Sequence, residues 1–175
     1  MPYSRRLFLA SSLLLVADAR AQSPVEARLK ARLAFTLARF TQWPASAFAG
    51  PADALTICVL HRDAALGEAF AELAGQTVAG RPIKVVGNPD KALSACHVLF
   101  VHETVDRSAA GALDALAATP VLTIGDAEGF SAGGGMVELV NVNDALRMDV
   151  NLKALRTARL GLSSQVLKLA RHVRE

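Results

Sequence analysis

Three polar clusters stand at the ends of apolar runs in this 175-residue chain: His61-Arg62-Asp63 after "LTICVL", His102-Glu103 after "HVLFV" and Gly125-Asp126 after "PVLTI". Two histidines, an arginine and three carboxylates are the residue types that acid–base chemistry or a polar ligand would use. They could also hold a metal, through His61, His102 and Asp126. In open parallel sheets ligands bind beyond the carboxyl ends of the strands. If the three runs are such strands, His61, Arg62, His102, Glu103 and Asp126 share one rim and form a candidate ligand crevice. The plainer account is that strand ends are exposed and collect polar residues whatever the function.

Other motifs exclude more than they admit. The stretch "EGFSAGGGMVEL", Glu128 to Leu139, is glycine-dense, but no Lys and Ser or Thr follow the glycines and no helix opens after them. Its spacing also departs from the dinucleotide fingerprint. The reading is a backbone turn that needs positive φ or close approach. There is no GxSxG and no HExxH, and Ser163-Ser164 sits where serine caps a helix. Cys58 and Cys96 are the two cysteines. In an oxidising compartment they make one disulfide, worth roughly 3–4 kcal/mol for a loop of this length. Otherwise they are two buried thiols in "TICVL" and "ACHVLF". Neither metal-type spacing nor a cofactor motif is present.

The elements that must position these residues follow from periodicity. "SPVEARLKARLAFTLARFTQWP" reads as a helix capped by Ser23, with Leu29, Leu33, Leu37 and Phe40 on one side and Arg28, Arg32 and Arg39 on the other, ending at Trp43-Pro44. Strands "LTICVL", "IKVVG", "HVLFVH" and "PVLTIG" alternate with helices "AALGEAFAELAG", "NPDKALSA" (capped by Asn88) and "DRSAAGALDALAAT". That alternation implies a parallel sheet. "GMVELV" and "ALRMDV" are separated only by "NVND", which is hairpin spacing, so this edge is antiparallel. Two helices close the chain, "NLKALRTARLG" from Asn151 to a stop at Gly161 and "LSSQVLKLARHV" capped by Ser163. The fold class is α/β, a single-domain sandwich. Its largely parallel sheet has about six strands and an antiparallel C-terminal hairpin, with helices on both faces.

Residues 1–21 read as an export leader and 22–175 as the domain. Arg5 and Arg6 precede an apolar run, Leu7 to Ala17, which is too short to anchor, and "ARA" ends at Ala21. "SRRLFL" also fits twin-arginine export, as an alternative to general secretion. Removing Arg5, Arg6, Arg20 and Asp18 from 19 basic and 16 acidic residues leaves 16 and 15, a net of +1. With that balance no basic stripe remains to bind nucleic acid, and nothing predicts stable membrane insertion.

Taken together, "KARLAFTLARFTQWP", "GRPIKVV", "ACHVLFV", "PVLTIGDAEGFSAGGGMVELV" and "LRMDVNLKALRTARLGLSSQVLKLA" resemble the YfiR-like periplasmic proteins, in order from about Ala27 to Ala170. The resemblance implies a non-enzymatic regulator, commonly dimeric, that binds the periplasmic sensor domain of an inner-membrane diguanylate cyclase. By repressing it, the regulator lowers cyclic di-GMP signalling and biofilm formation. It implies a redox-sensitive disulfide at Cys58 and Cys96; a second late pair found in some members is missing here. It also directs attention to the hairpin as a partner surface, with Leu139, Leu146, Met148 and Asn151 as candidates, or else as packing beneath the last helices. The alternative function is a small-molecule binding protein or hydrolase that uses the strand-end crevice. A structural envelope protein without a ligand is a third possibility.

Overall fold

A computed structural model describes residues 23–90, 93–105, 109–143 and 145–175. The expected leader, 1–21, and the start of the helix expected from Asp106 lie outside the described residues. Helix α1 (Pro24–Phe40) is followed by β1 (Thr41–Gln42), β2 (Leu55–Leu60), α2 (Ala64–Ala71), β3 (Thr77–Val78), β4 (Arg81–Gly87) and β5 (Val98–Val101). Then come α3 (Ala109–Leu116), β6 (Leu122–Gly125), β7 (Val137–Val142), β8 (Ala145–Asn151), α4 (Leu152–Thr157), β9 (Gly161–Leu162), α5 (Ser164–Leu167) and β10 (His172–Arg174).

The main sheet runs β10-β8-β7-β6-β5-β2-β4-β3. The six strands expected from sequence form its middle, and short strands β10 and β3 extend it at either side. Strands β4, β2, β5, β6 and β7 pair in parallel, and β7 with β8 antiparallel. Side chains alternate across the strands as the pleat requires. Ile57, Val59, Phe100, Leu122 and Ile124 join one core with α1, α2, α4 and α5, and the Phe70 and Phe100 rings meet there at 4.9 Å. Cys58, Leu99 and Val101 face the other way, against Leu113 and Leu116 of α3. Each large side chain so buried stabilises by about 1.5–3 kcal/mol. Cys58 and Cys96 are bridged, tying β2 to the turn before β5.

Local signals place the helix starts. Ser23 Oγ accepts from Glu26 N, Asp63 Oδ1 from Leu66 N, and Asn151 Oδ1 from Ala154 N. The buried face of α1 differs from the leucine stripe. Ala27, Ala31, Ala34, Leu37 and Ala38 are buried, while Leu29 is 44% exposed. Alanines let the helix approach α2 and the sheet closely, and bulkier leucines can only flank that contact. The helix ends at Phe40, before Trp43-Pro44, because Thr41 is extended and β1 pairs with β9.

Three further expectations need correction. Asn88 does not cap a helix; it stands at positive φ and its Oδ1 accepts from His61 N, and the segment after it supplies only a 3-10 turn at Leu93–Ala95. Helix α4 stops at Thr157, where Arg159 takes the left-handed turn expected of Gly161. The last helix is cut to Ser164–Leu167, after which the chain returns to the sheet as β10, parallel to β8. Asp149 explains that return. Arg171 donates to both its oxygens, at 2.9 and 2.6 Å, and Arg171 N donates to Met148 O. Those hydrogen bonds hold the Asp149 carboxyl below the usual carboxylate range, against the opposing effect of burial. The hairpin is therefore not the outermost edge along its whole length, since β10 covers residues 149–151 of β8.

The glycine stretch is a packing device. Phe130 lies against Gly125 and Gly135, where a Cβ at either position would collide with its ring, and Gly134 stands at φ 101°. The buried Glu138 carboxylate gathers the turn by accepting from Gly129 N, Ser131 N and Ser131 Oγ.

Replacing Cys58 and Cys96 together by Ala should lower unfolding free energy by about 3 kcal/mol. Urea denaturation with and without reductant checks this. Reductant should shift the parent protein to the mutant's midpoint and leave the mutant unmoved.

Candidate functional site

The rim where β2, β5 and β6 end was the site to test. Its centre is Asp126. The Lys30 ammonium, from α1, donates to Asp126 Oδ2 at 2.6 Å, and Glu103 N donates to Oδ1 at 2.7 Å. Both side chains of the ion pair are buried, 5% and 2% exposed. Lys30 also reaches Glu26, one turn earlier on its own helix, at 3.1 Å. Burial alone would depress the lysine. The charge and hydrogen bond of Asp126, aided by Glu26, reverse that and hold Lys30 above its ordinary value.

His102 is equally buried, at 2%. Thr104 N donates to its Nδ1, which Thr104 Oγ1 also approaches at 2.8 Å. Its Nε2 faces Asp126 Oδ2 at 3.5 Å and is buried without a hydrogen-bond partner among the described residues. Thr104 Oγ1 in turn accepts from Arg62 N. The structure brings His102, the Glu103 backbone and Asp126 together with Lys30, which the sequence reading missed. A stripe of alanines at 27, 31, 34 and 38 with Lys30 beside it, four residues after Glu26, was the signal available.

His61 and Arg62 stand apart from that centre. The His61 ring donates from Nδ1 to Asp63 O at 2.6 Å and packs against Gly67 of α2. Arg62 is exposed, and Asp63 is occupied in capping α2. The histidines therefore do not converge on a metal with Asp126, and no group of three or more His, Cys, Asp or Glu with metal-binding geometry exists among the described residues. Catalysis would need an atom within reach of substrate. Asp126 is engaged by Lys30 and the Glu103 backbone, whereas His102 Nε2 is buried 3.5 Å from Asp126 Oδ2 without a hydrogen-bond partner among the described residues.

A crevice nevertheless opens at this rim, because the strands are of unequal length. Strand β6 meets β7 only at Ile124↔Val137 and Gly125↔Glu138, whereas β7 and β8 continue together to Val142↔Ala145. The hairpin overhangs the rim. Between them lies a 690 Å³ crevice with Lys30 and Asp126 at its base, bordered by Glu103, Glu128 and the consecutive residues Leu139, Val140 and Asn141. Among the hairpin candidates, Leu146 also borders the crevice and is half-buried. Leu139 and Met148 are buried in the core. Asn151 caps α4 and donates to Ser131 O.

The YfiR/HmsC-like family model matches residues 27–171, nearly the whole described chain, and the chain belongs to that family. No curated protein matches it. A solved structure, the crystal structure of a conserved domain protein from Vibrio cholerae O1 biovar eltor str. N16961, is similar at 14% identity with a TM-score of 0.44. The likeness covers 69% of this chain and 55% of that chain, so it spans little more than half of the other protein.

Lys30→Met should destabilise the protein by about 3 kcal/mol, since it strands the Asp126 carboxylate in a buried site. Lys30→Met with Asp126→Leu should recover part of that loss. The raised lysine makes its contribution fully present below about pH 10.4, and the contribution falls away as pH climbs through the folded value. Urea titrations from pH 7 to pH 11 check both effects. The gap between parent and Lys30→Met should narrow at the alkaline end.

Proposed function

We propose that this chain, as a YfiR/HmsC-like protein, is a non-enzymatic periplasmic regulator that acts by occupancy. It binds the periplasmic sensor domain of an inner-membrane diguanylate cyclase, holds it inactive and so lowers cyclic di-GMP and biofilm formation. The family match over residues 27–171 is the observation that carries this reading. Three others support it. The strand-end histidines and Asp126 are engaged in structure, so the rim reads as framework. The Cys58–Cys96 bridge suits an oxidising compartment. Among the described residues no helix is long and apolar enough to cross a membrane.

In this reading residues 1–21 are the cleaved leader, by the twin-arginine or general secretion route, and 22–175 are the regulatory domain. The hairpin carries the partner surface, with Leu146 the accessible member of the set Leu139, Leu146, Met148 and Asn151. The working unit is a homodimer, and the disulfide is either a fixed staple or a redox control on binding. A second reading, a small-molecule binding protein, is favoured by one observation, the 690 Å³ crevice. Its volume is within the range of about 300–1,000 Å³ usual for ligand sites.

Deleting the gene should raise cellular cyclic di-GMP and biofilm, and supplying the exported protein should restore both. Membrane extracts passed over the immobilised protein should yield a protein with a diguanylate cyclase domain. Unchanged cyclic di-GMP in the deletion strain, with no cyclase captured, would remove the regulator reading and leave the ligand-binding one.

A further inference from the structure

The crevice beneath the hairpin runs along the edge of a strand rather than across its face. Leu139, Val140 and Asn141 are consecutive, so their side chains alternate between the two faces of β7. All three border the same space, which they can share only along the strand's edge. Among the described residues that edge has no neighbour in the sheet. Strand β6 pairs with β7 as far as Glu138 and no further, while the strand continues to Val142. In an antiparallel ladder alternate residues bond to the partner strand and the others turn their N–H and C=O groups outward. Half the peptide groups from Leu139 to Val142 therefore face the crevice, away from β8.

The charges bordering it are unequally committed. Lys30 is held by Asp126 and Glu26, Arg171 by both oxygens of Asp149, and Glu138 by the amides and hydroxyl of the glycine turn. Glu103 and Glu128 are exposed, and neither carboxylate has a hydrogen-bond or ion-pair partner among the described residues. The uncommitted charge of the crevice is negative. Beside it, half-buried Leu146 supplies apolar surface on the face it shares with Asn141, and half-buried Val140 lies on the opposite face with Arg147.

We propose that this crevice docks an extended segment of a partner protein in which apolar and basic residues alternate. The segment's backbone adds to the open edge of β7 at Leu139–Val142, which supplies affinity that does not depend on side chains. Its Lys or Arg residues face Glu103 and Glu128, and its apolar residues lie against Leu146, on the face of the hairpin opposite Val140 and Arg147. Strand addition sets the direction and register, and the two carboxylates reject acidic or neutral segments. This rests on the reading of the chain as a partner-binding regulator and names the chemistry by which it would grip its partner.

The test uses the purified full chain, labelled with nitrogen-15, and four capped six-residue peptides. The first is Thr-Lys-Val-Arg-Val-Thr, the second carries Glu at both basic positions, and the third and fourth are the first with alternate backbone nitrogens methylated, one in each register. The basic peptide should give saturable amide shifts centred on Leu139–Val142, with hydrogen exchange there slowed by about tenfold or more. The Glu peptide should bind about tenfold more weakly or worse, and one register of N-methylation should abolish binding. Glu103→Gln with Glu128→Gln should weaken the basic peptide by about tenfold while leaving the rest of the spectrum unchanged. An absence of shifts at Leu139–Val142, or equal binding by the Glu peptide or by both N-methylated registers, overturns the proposal. In cells, a Glu103→Lys, Glu128→Lys variant that still represses cyclic di-GMP as well as the parent would sink the docking mode and leave the regulator reading standing. A deletion strain with unchanged cyclic di-GMP would sink the regulator reading, and the peptide titration would still decide whether the crevice binds such a segment.

Discussion

A buried carboxylate ties the carboxyl end of the sheet together. Asp126 accepts from Lys30 of α1 and from the backbone of Glu103 just beyond β5, and it sits one residue past the end of β6. Without it the buried contacts of α1 would be four alanines and Leu37, and the small alanine side chains bury little area and oppose sliding along the helix axis only weakly. A buried ion pair is a poor source of net stability, because desolvating both charges costs about as much as their attraction returns. Its value is in register: a lysine that must find one carboxylate fixes where along its length α1 sits. His102, just past β5, places Nε2 3.5 Å from the same carboxylate and joins Thr104 through Nδ1.

A second carboxylate does comparable work one strand away. Glu138 is buried at the start of β7 and draws the glycine turn around itself, while Phe130 fills the room left by Gly125 and Gly135. The glycines thus serve close approach and two positive-φ positions, Gly129 and Gly134, and a phosphate cradle is not needed to explain them. The turn delivers β7 into the sheet parallel to β6, and the hairpin then reverses the chain. A third carboxylate, Asp149, recaptures the chain near its end through Arg171. Asp126 and Asp149 close contacts across 96 and 22 residues, and Glu138 closes a turn seven to nine residues before it. Together they turn a set of parallel crossovers into a frame with a fixed rim.

The range of those contacts decides what could be read from sequence. The helix starts at Ser23 and Asn151, the six central strands and the antiparallel turn are local, and periodicity and capping chemistry reveal them. The end of the last helix is not local. "LSSQVLKLARHV" has helical spacing throughout, and only Asp149, 22 residues before Arg171, pulls its second half into an edge strand. Lys30 was hidden for a related reason. A lysine among arginines on an amphipathic helix reads as solvated, and the acid that buries it is 96 residues away. The rim residues were found because topology places strand ends together, and His102, Glu103 and Asp126 do meet. His61 and Arg62 were grouped with them by the same rule, but one turn of chemistry at Asp63 and Asn88 directs His61 toward α2. The overhang of the hairpin depends on the difference in strand lengths, which sequence patterns fix only to within a few residues.

That overhang carries a design problem that bears on function. An open strand edge invites pairing with any other exposed edge, and soluble proteins usually cover or blunt it. Here β10 covers β8 only at residues 149–151, and β6 covers β7 only at residues 137 and 138, so the outer part of the hairpin is open on both sides. Two features limit indiscriminate pairing. The open stretch is short, and it presents the polar side chains Asn141, Asn143 and Arg147 to solvent. On the crevice side Glu103 and Glu128 add like charge that repels acidic or negatively flanked strands. A protein with no use for the edge could have ended β7 level with β6 and avoided the difficulty. Keeping the edge open and selectively charged, beside a rim pinned by the buried Lys30–Asp126 pair, is the arrangement expected of a surface kept ready for one kind of partner.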